Sequence, residues 1–148
     1  MSRVQLALNV SDLEASVAFY TELFGVAPHK RRPGYANFAI DSPPLKLVLL
    51  EAPAGARQEG PAGALNHLGV EVFCVDEVGE AIERLSRAGL ATREESDTVC
   101  CYARQDKVWV DDPDGAPWEV YVVTDDDPKG LLVMADADGA CCAVEPSP

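Results

Sequence analysis

Val4-Gln5-Leu6-Ala7-Leu8-Asn9-Val10 and Asn66-His67-Leu68-Gly69-Val70-Glu71-Val72 decide how this chain reads. Both alternate with period 2, as half-buried strands do. Leu6, Leu8 and Val10 match Leu68, Val70 and Val72 on one face, while Gln5, Ala7 and Asn9 match His67, Gly69 and Glu71 on the other. Each stretch is followed by an acidic start and an amphipathic helix. The first helix opens at Ser11-Asp12, where an N-cap belongs, and spaces Leu13, Val17, Tyr20 and Phe24 along one stripe. The second starts near Asp76 and spaces Val78, Ile82 and Leu85; Gly25 and Gly89 stand where helix C-termini are expected.

Short strand-like runs follow each helix: Tyr35 to Ile40 and Leu45 to Leu50, then Cys101 to Ala103, Lys107 to Val110 and Trp118 to Val123. The chain is therefore an internal repeat. The predicted fold is α+β, two tandem βαβββ modules around a cavity. The first module with its linker covers 1–62, where Ala52 to Ala64 is rich in Pro, Gly and Ala. The second covers 63–123 and turns at Asp111-Asp112-Pro113-Asp114-Gly115. Residues 124–148 are acidic without a sustained period and read as a mobile tail.

A length of 148 residues suits one compact domain or two small modules. Lys and Arg number 12 against 25 Asp and Glu, a net charge of −13, which argues against nucleic acid as a partner, because sequence-independent affinity for phosphates needs basic surface. His29-Lys30-Arg31-Arg32, the basic cluster, reads as a solvated loop or as a receiver of an anionic substrate. No apolar run is long enough to span a bilayer, and no signal h-region follows Met1-Ser2-Arg3, so the expected location is cytoplasmic, without a membrane partner. Five cysteines in a reducing compartment read as thiols.

By alternation, one face of the paired sheets receives Gln5, His67, Glu119 and Tyr121. An imidazole, a carboxylate and an amide oxygen form a three-ligand set with open positions, comparable to the 2-His-1-carboxylate triad that holds Fe(II). The alternative is a satisfied strand histidine and an exposed edge glutamate. Lys46 is the repeat partner of Glu119, so a fourth carboxylate is missing there; it either serves the site or snorkels outward. Lys107 is expected on the same face, with a plain surface lysine as the alternative.

Cys100-Cys101 is the second signal. Sequence neighbours are about 3.8 Å apart at Cα, shorter than a relaxed disulfide spans. Two adjacent thiolates can instead chelate a soft centre such as Cd(II) or trivalent arsenic; inert packing is the alternative. Cys74 reads as a small core hydrophobe. Cys141-Cys142 repeats the vicinal pair in the tail, by chance or to hand on the same soft centre.

The paired modules, Leu65-Asn66-His67-Leu68-Gly69-Val70 and the Asp-Pro-Asp-Gly turn before Pro117-Trp118-Glu119-Val120-Tyr121 resemble the vicinal oxygen chelate (glyoxalase, bleomycin resistance, dioxygenase) superfamily. Arg32 to Ile40, Pro44 to Glu51, Thr98 to Ala103 and Gln105 to Val110 are closer to one branch, the organoarsenical carbon-arsenic lyases, also labelled cadmium-induced proteins. The resemblance covers residues 1 to 123. It implies an Fe(II)- and O2-dependent enzyme that cleaves trivalent organoarsenicals, such as methylarsenite and aromatic arsenicals, to arsenite. It assigns Gln5, His67 and Glu119 to iron and Cys100 and Cys101 to substrate arsenic; Lys107 and Tyr121 are read, from their place on the same face, as candidates behind the ligands. Gln5 departs from the histidine frequent in the superfamily. The rival readings are a thiol protein that sequesters Cd(II) or As(III), and a glyoxalase- or fosfomycin-resistance-type metalloenzyme. Oligomeric state stays open, since modules can close within one chain or by exchange in a homodimer.

Overall fold

The computed structural model describes residues 2–53, 55, 63–100, 102–128, 132–135 and 141–144. The element order is β1 (Arg3–Val10), α1 (Leu13–Phe24), β2 (Lys30–Arg32), β3 (Tyr35–Ile40), β4 (Leu45–Glu51), β5 (Leu65–Val72), α2 (Val75–Arg87), β6 (Thr92–Cys100), β7 (Ala103–Asp111), β8 (Pro117–Asp125), β9 (Leu132–Ala135) and β10 (Cys141–Val144). The fold is α+β, and β1–β4 with α1 and β5–β8 with α2 are the two βαβββ repeats. Two compact units divide within β5, one of residues 3–68 and one from residue 69 onward together with the N-terminal residues.

In the first unit the strands run β2-β3-β4-β1. β1 and β4 are parallel, with Gln5 opposite Lys46, and β3 is antiparallel to both β4 and β2. Register partners share a face, so Lys30, Asn37, Lys46 and Gln5 lie on one side. Ala36, Phe38, Ile40, Leu47 and Leu49 lie on the other, where they pack with Leu13 and Val17 of α1. Each fully buried large apolar side chain contributes about 1.5–3 kcal/mol. The start of α1 is held twice: the Asp12 carboxylate accepts from the Ala15 amide at 2.9 Å and the Glu51 carboxylate from the Leu13 amide at 3.0 Å. Gly25 ends the helix at φ 68°, the left-handed conformation that glycine adopts without a Cβ clash.

In the second unit the order is β8-β7-β6, antiparallel throughout. α2 carries Asp76 and Glu77 in its first turn and Arg84 and Arg87 in its last, both matched to the helix dipole. Its Val78 and Ala81 pack on Val72, Val108 and Val122. Among the described residues no helix is long and apolar enough to cross a membrane.

Several local expectations are corrected. The basic cluster is not a loop: Lys30–Arg32 form an edge strand against Tyr35–Asn37, and Lys30 is buried. Charge hid a three-residue strand that pairs with its neighbour across the two-residue turn Pro33-Gly34. Of the expected strand Cys101 to Ala103, Ala103 opens β7 and Tyr102 turns just before it at φ 61°, while β6 ends at Cys100. The acidic stretch from Glu94 to Thr98, to which the sequence assigns no element, belongs to β6, with a register shift between Glu95 and Thr98 that blurred its alternation. Cys74 is exposed and stands at the N-cap of α2, not in the core. Within the stretch read as a tail, β9 and β10 pair antiparallel and β10 runs close to β6; four-residue strands are too short to show a period. Most of the expected linker, 54 and 56–62, lies outside the described residues, as does Cys101.

Candidate functional site

The first unit brings Gln5 and His67 together. Both are buried, and the Gln5 amide Nε2 donates to His67 Nε2 at 3.3 Å. The tautomer follows from a chain of amides. Asn9 Nδ2 donates to the Gly63 carbonyl at 3.4 Å, leaving Asn9 Oδ1 to accept from Asn66 Nδ2 at 2.9 Å. Asn66 Oδ1 then faces His67 Nδ1 at 2.7 Å. An amide oxygen only accepts, so Nδ1 carries the proton and Nε2 keeps the lone pair that a metal needs. The Gln5 Oε1 atom is buried without a hydrogen-bond partner. A cation would displace the Gln5 N–H: rotating the Gln5 amide exchanges its nitrogen for the orphaned oxygen and frees the imidazole lone pair, so these two residues fit a metal. Lys46, opposite Gln5 on β4, is buried and does not snorkel outward.

The sequence reading missed Asn66 and Asn9, the residues that orient His67. Replacing Asn66 by leucine removes the acceptor for Nδ1–H. Loss of such an orienting contact typically lowers metal affinity about 10- to 100-fold. The expected result for Asn66→Leu is a loss of that size in a competitive chelator titration, with folding retained.

Glu119 and the thiol belong to the second unit. Glu119 is buried, not an exposed edge residue; its Oε2 accepts from Lys107 Nζ at 2.6 Å, and the two side chains are 2% and 0% exposed. The ammonium also lies over the Trp109 ring at 5.2 Å and the Tyr121 ring at 5.7 Å, an arrangement that attracts a cation to the ring faces. Lys107 is therefore not a plain surface lysine. It is opposite Tyr121, Trp109 is opposite Glu119, and Gln105 is opposite both Val123 and Thr98. Cys100, two residues after Thr98, shares that face and is a buried thiol. Cys100, Gln105, Lys107, Glu119 and Tyr121 thus line one side of β6-β7-β8, while Val108, Val120 and Val122 face α2. Cys101 and the side chains of Cys141 and Cys142 lie outside the described residues. Among the described residues no three His, Cys, Asp or Glu side chains form a metal cluster; the expected donor set contains only two of those types.

Comparison with known proteins gives the family. The model of the Glyoxalase/Bleomycin resistance protein/Dioxygenase superfamily matches residues 3–120. A protein of Thermomonospora curvata named trivalent organoarsenical cleaving enzyme is 62% identical over 96% of this chain and 89% of its own length. The cadmium-induced protein CadI of Mycobacterium tuberculosis is 60% identical over 85% of this chain and 79% of its own. Among solved structures, the Mn(II)-bound glyoxalase from Novosphingobium aromaticivorans shares the fold, with a TM-score of 0.58 at 19% identity, covering 89% of this chain and 44% of that one. Tandem βαβββ repeats, a match along both and relatives at this identity have one meaning: the chain belongs to the Glyoxalase/Bleomycin resistance protein/Dioxygenase superfamily.

Proposed function

We propose that this protein is an Fe(II)- and O2-dependent carbon-arsenic lyase that converts trivalent organoarsenicals, methylarsenite and aromatic arsenicals among them, to arsenite. The observation that carries the reading is the shared face of β6-β7-β8, where a buried cysteine thiol and a buried, lysine-locked carboxylate stand on one sheet. A glyoxalase-type or fosfomycin-type enzyme has no use for that thiol. Support also comes from the relatives named for cleavage of trivalent organoarsenicals, at 62% and 39% identity.

Gln5 Oε1, His67 Nε2 and a Glu119 carboxylate oxygen would hold the iron. Bound there by three protein donors, Fe(II) supplies open coordination positions for dioxygen and for redox chemistry at the carbon-arsenic bond. The protein's own residues do the rest. Asn66 keeps the proton of His67 on Nδ1 and its lone pair on Nε2. Lys107 holds Glu119 in one rotamer, and Tyr121 and Trp109 surround the ammonium so that water does not separate the pair. Cys100 and Cys101 exchange their thiol protons for bonds to arsenic and release its hydroxyls as water. Fixing the reacting bond in this way can supply up to about 7–11 kcal/mol of a barrier in favourable intramolecular cases. A compartment that keeps thiols reduced, such as the cytosol, is the setting this chemistry needs.

The test is arsenic speciation. Purified protein is loaded with Fe(II) without air and given excess methylarsenite, and air is then admitted. Arsenite formed in many equivalents, only with both iron and oxygen, is the expected result. Intact methylarsenite co-eluting with the protein in stoichiometric amount overturns the lyase and leaves a thiol trap.

A further inference from the structure

We propose that Gln105 is a substrate-binding residue whose amide oxygen accepts a hydrogen bond from a hydroxyl on trivalent arsenic captured by Cys100; the inference rests on the function proposed above. Gln105 is buried on β7 and shares the face of Cys100. Its Nε2 donates to the Cys100 main-chain carbonyl at 3.1 Å. That partner can only accept, so the orientation of the amide is determined: nitrogen toward Cys100, oxygen away. The oxygen, Oε1, is buried and has no hydrogen-bond partner. A buried acceptor left unsatisfied is destabilising by about 1–3 kcal/mol. Leucine or methionine would fill the same space without that penalty, so a glutamine here suits a donor that arrives with the ligand.

The chemistry of capture supplies one. A trivalent organoarsenical in water carries two hydroxyls, R–As(OH)2. The Cys100 thiol reacts with it to give R–As(OH)–S–Cys100 and water: the S–H and one As–O bond break, an As–S and an O–H bond form, and no electrons change hands. The remaining hydroxyl is a proton donor on an atom bonded to Cys100 sulfur. Gln105 shares the face of the Cys100 thiol, and its unsatisfied oxygen is the acceptor there for that hydroxyl. Gln105 thereby binds the one-thiolate intermediate and discriminates hydroxyl-bearing arsenic from thiol reagents that carry no donor.

Two measurements decide it. In the first, methylarsenite capture at Cys100 is timed by rapid mixing in the wild type and in Gln105→Met, and alkylation of Cys100 by N-ethylmaleimide, which presents no hydroxyl, is timed alongside. The variant is expected to slow arsenic capture about five- to tenfold, the size of one lost neutral hydrogen bond, with the maleimide rate changed less than twofold. Equal slowing of both reactions, or of neither, overturns the proposal, since a purely structural glutamine would alter thiol access alike for both. In the second, which needs no variant, the carbon-13 resonance of Gln105 Cδ is followed in the wild type; it is expected to move on addition of methylarsenite and not on maleimide modification. An unmoved resonance overturns the proposal even if Gln105→Met fails to fold. Absence of arsenic capture by the wild type is a separate result, which defeats the lyase reading itself.

Discussion

Glu119→Ala is expected to destabilise the metal-free protein by about 3–5 kcal/mol, because it removes the carboxylate bonded at 2.6 Å to the Lys107 ammonium, whose side chain is 0% exposed. For a chain of this length that corresponds to a fall of roughly 6–20 °C in Tm. The two rings beside the ammonium at 5.2 and 5.7 Å cannot replace a carboxylate at 2.6 Å: a ring face contributes about 2 kcal/mol when desolvated. Removing both charges at once has a different outcome. The double variant Lys107→Met with Glu119→Leu fills similar volume with apolar atoms and is expected to recover most of the loss, since a buried pair does not in general outweigh well-packed hydrophobes. Urea unfolding of the three proteins checks this. A double variant as unstable as Glu119→Ala, or a single-variant loss under about 1 kcal/mol, would show that the pair is not a desolvated unit. The double variant is also expected to lose its metal, which separates the pair's role in stability from the carboxylate's role as a ligand.

That pair shows how far a sequence can be read. Glu119 and Lys107 are legible as neighbours on one face because the alternation of Trp118 to Val123 and of Lys107 to Val110 has period 2 and the Asp111–Gly115 turn sets the pairing. Asp112 closes that turn by accepting from the Asp114 and Ala116 amides, both at 2.9 Å. The repeat, the helices and the faces of β1 and β5 follow from the same periodicity. Burial of the pair is not legible, because a lysine on a strand carries no mark of what covers it. Nor are Asn9 and Asn66: their roles depend on amides that meet through β1 and the start of β5, residues far apart in the chain. The thiol hairpin is half legible. Two adjacent cysteines mark it, but Tyr102, inside the expected strand, turns at φ 61°, a conformation that few non-glycine residues adopt. Local propensity could not announce it, since glycine or asparagine is the usual choice there.

The bulge in β6 has a related effect. Between Glu95 and Thr98 the register with β7 shifts, and Asp97, at φ 55°, receives the Asp106 carboxylate on its amide at 2.7 Å and Arg104 on its own carboxylate at 2.9 Å. Without the shift, Thr98 and Cys100 would present the opposite face. The acidic run before Cys100 thus turns the thiol toward the side of Gln105 and Lys107. A one-residue slip exchanges the faces of a strand, and here a bulge makes use of that property.

Cys100→Ser is the sharpest separation of the two halves of the proposed chemistry. Serine keeps the size and the hydrogen-bonding capacity of the side chain, so folding is retained, but its oxygen does not form a lasting bond to trivalent arsenic in water as a soft thiolate does. If Cys100 fixes the arsenic for reaction, losing it forfeits the positioning that an intramolecular arrangement supplies, and kcat/KM for methylarsenite is expected to fall at least about a thousandfold. Iron loading of Cys100→Ser is expected to match the wild type, because neither Gln5 nor His67 nor Glu119 depends on the sulfur. His67→Ala should give the mirror image: arsenic still binds with the wild-type stoichiometry, iron does not, and no arsenite forms. Colorimetric iron analysis and arsenic mass spectrometry on the same two preparations read both properties. Should Cys100→Ser keep more than about a tenth of the turnover, the arsenic is not held by this thiol, and the buried face of β6-β7-β8 would have to owe its cysteine to packing alone. If instead the crossed pattern holds, the thiol captures the metalloid, the imidazole belongs to the metal, and cleavage requires the two together.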